Sequence, residues 1–295
     1  MRNILKATTL ESKLPLLAVE HGCIISKDAD ITVCYEVTLP ELFTVTSAEY
    51  EAMHAAWCKA IKVLPRFTVA HKQDWFVSEN YQPELQKDNL SFLDRSFERH
   101  FNERPYLAHK CYLYLTKTTK ERMRQQSNFS TLCRGRITPK ELNHEMIVGF
   151  MEAVGQFERI INDTGYISLR RMGDDEIVGT DSTSGIIERY LSLSTGDVTC
   201  LEDIDLSPKE MRVGDKMLCL HTLSDTDDLP GKVSTDNRYE RLSTDRSDCR
   251  LSFASPVGLL LPCNHIYNQY VFIDDHGENP VSYTHLRAHE TGRNL

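Results

Sequence analysis

The chain lacks most of the short patterns by which an enzyme declares itself. It has no G-x-x-x-x-G-K-[ST] segment, so no glycine-rich loop brings backbone amides, a lysine and a hydroxyl together on a triphosphate and its magnesium. Gly231-Lys232-Val233-Ser234 comes nearest, with valine where the hydroxyl belongs. There is no G-x-S-x-G elbow to expose a nucleophilic serine, and no C-x-x-C pair among nine scattered cysteines. Most of those cysteines read as small buried hydrophobes of a reduced, cytosolic protein. Glycine and proline are also few, 14 and 11 in 295 residues, which excludes a fibrous or low-complexity chain. Met1 to Val19 carries Lys6, Glu11 and Lys13 where a secretory leader needs an apolar run, so no leader is expected. The long uncharged window at 253–273 holds Pro256, Pro262, Asn264, His265, Asn268 and Gln269. Those groups are costly in hydrocarbon, which excludes a membrane-spanning helix there.

What is present is an ordinary globular composition, 40% hydrophobic and 26% charged, long enough for one or two domains. The formal net charge of -9 argues against nucleic-acid binding over the whole surface. Charge is unevenly shared. Residues 1–172 are nearly balanced, whereas the remainder holds about twice as many acidic as basic side chains. That step points to two regions with different partners, or to two domains.

Local patterns give the architecture. Ile31, Val33, Tyr35 and Val37 alternate with polar neighbours, as on a strand. Thr46-Ser-Ala-Glu49 is a capping box, and Tyr50, Met53, Trp57, Ile61 and Leu64 then share a helical face that Pro65 ends. Residues 67–76 resume as a strand. Leu90, Leu93, Phe97 and Phe101 mark a second amphipathic helix, and 111–115 another strand. Thr138-Pro-Lys-Glu141 starts a third helix that carries Phe150, Val154, Phe157 and Ile161 inward and ends near Gly165. Residues 166–171 return as a strand. Short strands follow at 217–223, 251–261 and 266–273. The expectation is an α+β fold, with a mixed sheet and amphipathic helices in the first two thirds and a β-rich part after it. The boundaries are 1–195 for the α/β domain and 196–281 for the β-rich region, whose polar loop at 224–248 is long enough to have a function of its own.

Four constellations could carry chemistry. Gly179-Thr-Asp-Ser-Thr-Ser-Gly185 before a short helix could offer amides to an anion, although it has no lysine and includes Asp181; a capping loop is the ordinary alternative. Cys219-Leu-His221 and Cys263-Asn-His265 are two C-x-H pairs of zinc-binding residue types, though C-x-H is not a usual finger spacing. The acidic groups at 174–176, 225–228 and 274–275 lack calcium-loop spacing and read as solvated turns. Lys117, Lys120, Arg122, Arg124, Arg134 and Arg136 form a basic stretch opposed only by Glu121. With Phe129 as its one aromatic it makes a poor platform for bases, and is the candidate docking surface for an acidic partner. The residues alone assign no catalytic, cofactor-binding or metal-binding residue.

Several longer runs carry a resemblance: MRNILKATTLESKLPLLAVE, LPELFTVTSAEYEAMHAAWCKAIKVLP, HKQDWF, FERHFNERPYL, YLTKTTKERM, and GDKMLCLHTLSDTDDLPGKVSTDNRYERLSTDRSDCRLSFASPVG. Together they resemble the N-terminal region of TraG-type conjugation ATPases of Bacteroidetes conjugative transposons, motor ATPases of type IV secretion. The likeness runs from residue 1 to about 280. It implies a non-motor portion that docks the motor on inner-membrane and channel proteins and can form homo-oligomers when full length. It also implies a cytoplasmic location, peripheral at the inner membrane, without direct nucleic-acid binding. ATP and magnesium belong, by the same resemblance, to a Walker-containing motor that this sequence does not include. The chain is therefore expected to be inactive in ATP hydrolysis by itself, with a stand-alone phosphate- or nucleotide-binding enzyme around 179–185 as the alternative. The ending 282–295 departs from the family and is similar to translated adapter sequence, so it is set aside from fold reasoning.

Overall fold

The computed structural model describes residues 14–40, 45–81, 91–118, 144–194, 202–207, 210–221 and 263–273, with 196, 198 and the pair 286–287. It opens with a hairpin, β1 (Leu16–Glu20) and β2 (Cys23–Ser26). Its two-residue turn, His21-Gly22, has positive φ at both positions (57° and 69°), the geometry that suits a tight hairpin. There follow β3 (Ile31–Thr38), α1 (Ser47–Val63), β4 (Thr68–Glu79), α2 (Phe92–Asn102) and β5 (Tyr106–Lys117). Next come α3 (His144–Asn162), β6 (Ser168–Arg171), α4 (Asp174–Val178) and α5 (Ile186–Ser192). The small strands β7 (Ile204–Leu206), β8 (Met211–Val213) and β9 (Lys216–Leu218) form a separate three-stranded sheet, and β10 (His265–Ile273) and β11 (Leu286–Arg287) follow. The architecture is α+β.

The centre of the main sheet is an interleaved pair of β-α-β units. β3 and β4, joined through α1, both pair with β5 between them. β5 and β6, joined through α3, both flank β3. The order β6-β3-β5-β4 with helices after the first and third strands is the split β-α-β arrangement of ferredoxin-like folds. This corrects the expected mixed sheet, because every ladder among the described residues is antiparallel. Each helical crossover skips one position, and the skipped position is filled by a strand running the other way. β2 shares the β6 side of β3, pairing with Ile31–Val33 while β6 takes Tyr35–Thr38. β10 pairs with β4 over its full nine residues. The 196–281 region is thus divided, its last described strand belonging to the first sheet.

The core follows from period-two alternation. Val33, Tyr35 and Val37 of β3, with Cys111, Leu113 and Leu115 of β5, face α1 and α3, where Met53, Ala60, Phe150, Val154, Phe157 and Ile161 meet them. Trp57 and Phe157 pack edge to face at 5.8 Å, a geometry the ring quadrupoles favour. On the opposite face Cys34, Tyr112 and Trp75 pack with Met172, just after β6, and with Ile177 and Ile186 of the α4–α5 segment. Thr46 caps α1 as expected, its hydroxyl accepting from the Glu49 amide at 3.3 Å while the Glu49 carboxylate accepts from the Thr46 amide at 2.8 Å. Among the described residues no helix is long and apolar enough to cross a membrane.

Candidate docking surface

α2 is inserted in the connection between β4 and β5, outside the interleaved core. Ser91 caps it: its hydroxyl accepts from the Asp94 amide at 3.2 Å and the Asp94 carboxylate accepts from the Ser91 amide at 3.1 Å. Those bonds to Ser91 hold the Asp94 carboxyl below its usual range. The periodicity that predicts this helix is that of a core helix, yet no residue of α2 is buried. Phe92 is 82% exposed, Leu93 75%, Phe97 60% and Phe101 42%. The difference has a simple cause. Spacing reports that apolar residues share a face, and does not say what covers that face.

The helix is tied to the sheet at one end. Tyr81, just beyond β4, donates its hydroxyl to Glu98 Oε1 at 3.2 Å and sets its ring edge-on to Phe101 at 6.1 Å. Phe97 and Phe101 lie 4.5 Å apart along the helix. Tyr106, the first residue of β5, adds a half-exposed ring. Exposed aromatic rings thus gather on α2 and at its two flanks, with charged residues on the same helix.

The site residues read from the sequence fare differently. Lys117 ends β5 and is 8% exposed, with its ammonium donating to the Arg66 carbonyl and lying 5.5 Å from the Phe67 ring centroid. Burial lowers the pKa of that amine, and a partner could not reach it. Lys120, Arg122, Arg124, Arg134, Arg136 and the 224–248 loop lie outside the described residues. Around 179–185 several amides are already committed: Gly185 N–H donates to Glu188 Oε2 at 3.2 Å and Thr180 N–H to the Thr183 carbonyl at 2.8 Å. A Cβ on Gly179 would stand 2.7 Å from the Gly185 nitrogen. These two glycines therefore serve a close backbone crossing. Cys219, His221 and Cys263 are exposed, and His265 Nδ1 bonds the Cys263 carbonyl at 2.9 Å. Among the described residues no three His, Cys, Asp or Glu side chains gather where they could hold a metal ion.

Sequence reasoning missed one polar cluster. Asp74 of β4 is 6% exposed and accepts from His109 Nε2 at 2.9 Å and from the Lys72 ammonium, beside Cys111. Burial alone would raise the Asp74 carboxyl, but His109 and Lys72 together outweigh it and hold it low. Residues 72, 74, 109 and 111 reach one face only through the β4–β5 register, which spacing along one strand does not disclose.

None of the curated proteins matches this chain. Over residues 3–55, from ahead of β1 to the middle of α1, the chain is similar to a family described as "Domain of unknown function, B. Theta Gene description (DUF3875)".

Proposed function

We propose that this chain is an assembly module, the non-motor N-terminal portion of a conjugative-transfer ATPase, which seats the motor on inner-membrane channel proteins. The observation that carries the reading is the apolar face of α2, which the core does not use and which a partner would cover. The long sequence resemblance supplies the identity of the machinery. Under this reading the module stays peripheral to the inner membrane, and ATP and magnesium are the business of the motor. Leu93, Phe97 and Phe101, exposed and four residues apart on one helix, match the helix-in-groove mode, in which residues three and four apart act as anchors.

The test uses Phe92→Ser and Phe97→Ser together in the complete chain, co-expressed with the inner-membrane proteins of the same transfer machinery. Recovery of the chain with those proteins should fall at least tenfold while the melting temperature stays within a few degrees, since exposed positions contribute little to folding. Undiminished recovery of the double variant would refute the docking role of α2. ATP turnover by the purified chain would refute the non-catalytic reading itself.

A further inference from the structure

Three margins of the main sheet are finished in different ways. β1, at one end, is five residues long, follows Pro15 and breaks its register with β2 between Leu16 and Ala18. β6 is four residues long, and along its outer side the Asn162 side chain bonds both the carbonyl and the amide of Leu169. Shortness, a neighbouring proline, irregular pairing and a side-chain cover are devices that keep a sheet edge from joining another strand.

β10 carries none of these devices. It runs nine residues, HIYNQYVFI, without proline, Asp, Glu, Lys or Arg, and pairs with β4 in unbroken register. β11 meets only its last two residues, Phe272 and Ile273. Among the described residues nothing pairs with the outer side of 265–271. None of the nine residues is buried, and Tyr270 and Phe272 are 37% and 44% exposed. A regular edge of this length presents a row of backbone N–H and C=O groups that a further strand can take up.

The side chains favour one kind of strand. With a net charge of -9, copies of this chain repel one another, and they approach most readily where charge is absent, as along β10. The strand is also complementary to itself. About a two-fold axis through Asn268, antiparallel pairing sets Ile266 opposite the second copy's Tyr270, Tyr267 opposite its Gln269 and His265 opposite its Val271. The first of these pairs lies on the face that holds Trp75 and Tyr112, and an aromatic ring opposite a β-branched side chain is a favourable cross-strand pair.

We propose that β10 is a self-association edge. A second copy of this chain adds its own β10 antiparallel across residues 265–271, so that the main sheet continues through the two-fold axis. The edge is separate from α2, and it stands or falls apart from the docking role.

The experiment is sedimentation velocity of the complete chain over a dilution series, which should show a monomer–dimer equilibrium. Hydrogen exchange at the two ends of that series needs no variant. Peptides covering 265–271 should gain protection in the concentrated sample, while those of β5 stay unchanged. Tyr270→Lys should raise the dimer dissociation constant roughly tenfold or more, because the lost pair counts twice about the axis. Phe92→Ser with Phe97→Ser should leave that constant unchanged, which tells failure of this edge from failure of α2. Should Tyr270→Lys not fold, the exchange comparison in the parent chain decides. A chain that stays monomeric at every concentration overturns the proposal. So does a dimer that folded Tyr270→Lys leaves intact, or equal protection of 265–271 in dilute and concentrated samples.

Discussion

The side chain of Asn162 holds both polar groups of Leu169. Its Nδ2 donates to the Leu169 carbonyl at 3.3 Å and its Oδ1 accepts from the Leu169 amide at 2.7 Å. The last residue of α3 thus stands in for a neighbouring strand along the outer side of β6. Asn162→Ala should destabilise the chain by about 2–4 kcal/mol, because it strands two backbone groups at a residue only 4% exposed. Urea titration measures the loss. Asn162→Asp should fall between, keeping the acceptor for the amide while facing the carbonyl with negative charge.

Asp74 should matter more than an ordinary strand carboxylate. Asp74→Ala leaves the Lys72 ammonium half-enclosed without its counter-charge and is expected to cost about 3 kcal/mol or more, as when one partner of a buried pair is removed. The Asp74 pKa is depressed in the folded chain. Its contribution is therefore present above the unfolded carboxyl value and fades as pH falls through the lower folded one. In Asp74→Asn, melting temperature followed from pH 5 down to about pH 2 should decline less steeply than in the parent, that range bracketing the unfolded aspartate value.

The alkaline side has a different origin. Burial pushes the thiols of Cys34 and Cys111 from 9.0 up to about 12. Each favours the folded chain fully below pH 9, and that contribution is lost as pH rises from there toward 12, at about 1.4 kcal/mol per pH unit for each group. Circular-dichroism melts above pH 9 should show a descending limb, and Cys111→Ala should make it shallower. An unchanged slope would show that the thiol already titrates normally.

Gly185→Ala probes the turn before α5. A Cβ there would meet the Val178 carbonyl carbon, the Ile177 oxygen and the Gly179 nitrogen, all of them backbone. With no flexible side chain to move aside, the substitution should cost about 2 kcal/mol or more, as for overpacked interiors. Binding by α2 partners should be untouched in whatever fraction remains folded.

Local chemistry made part of this fold legible. The Thr46–Glu49 box, the alternation over 31–37 and the inward stripe Phe150, Val154, Phe157 and Ile161 each depend on neighbours within a few residues, and each is present. The insertion of β5 between β3 and β4 depends on pairing between distant segments, which no local period encodes. The same reason hid the return of β10 to β4. Leu93, Phe97 and Phe101 stand at core-helix spacing although none of them is buried. The glycines at 179 and 185, read as a possible anion cradle, answer instead to the closeness of two backbones.

The interleaving of β3 through β6 also sets a schedule for synthesis. Arg170 of β6 reaches Glu36 of β3 across 134 positions of the chain. At translation rates of about 5–20 residues per second, β3 leaves the ribosome roughly 7–27 s before its outer neighbour is made. Until β5 is made, β3 has only β2 beside it, along Ile31–Val33, and its Tyr35–Thr38 end then waits for β6. The yield of soluble protein in a cell should therefore follow the supply of ribosome-associated chaperones more closely than the equilibrium stability of the finished molecule.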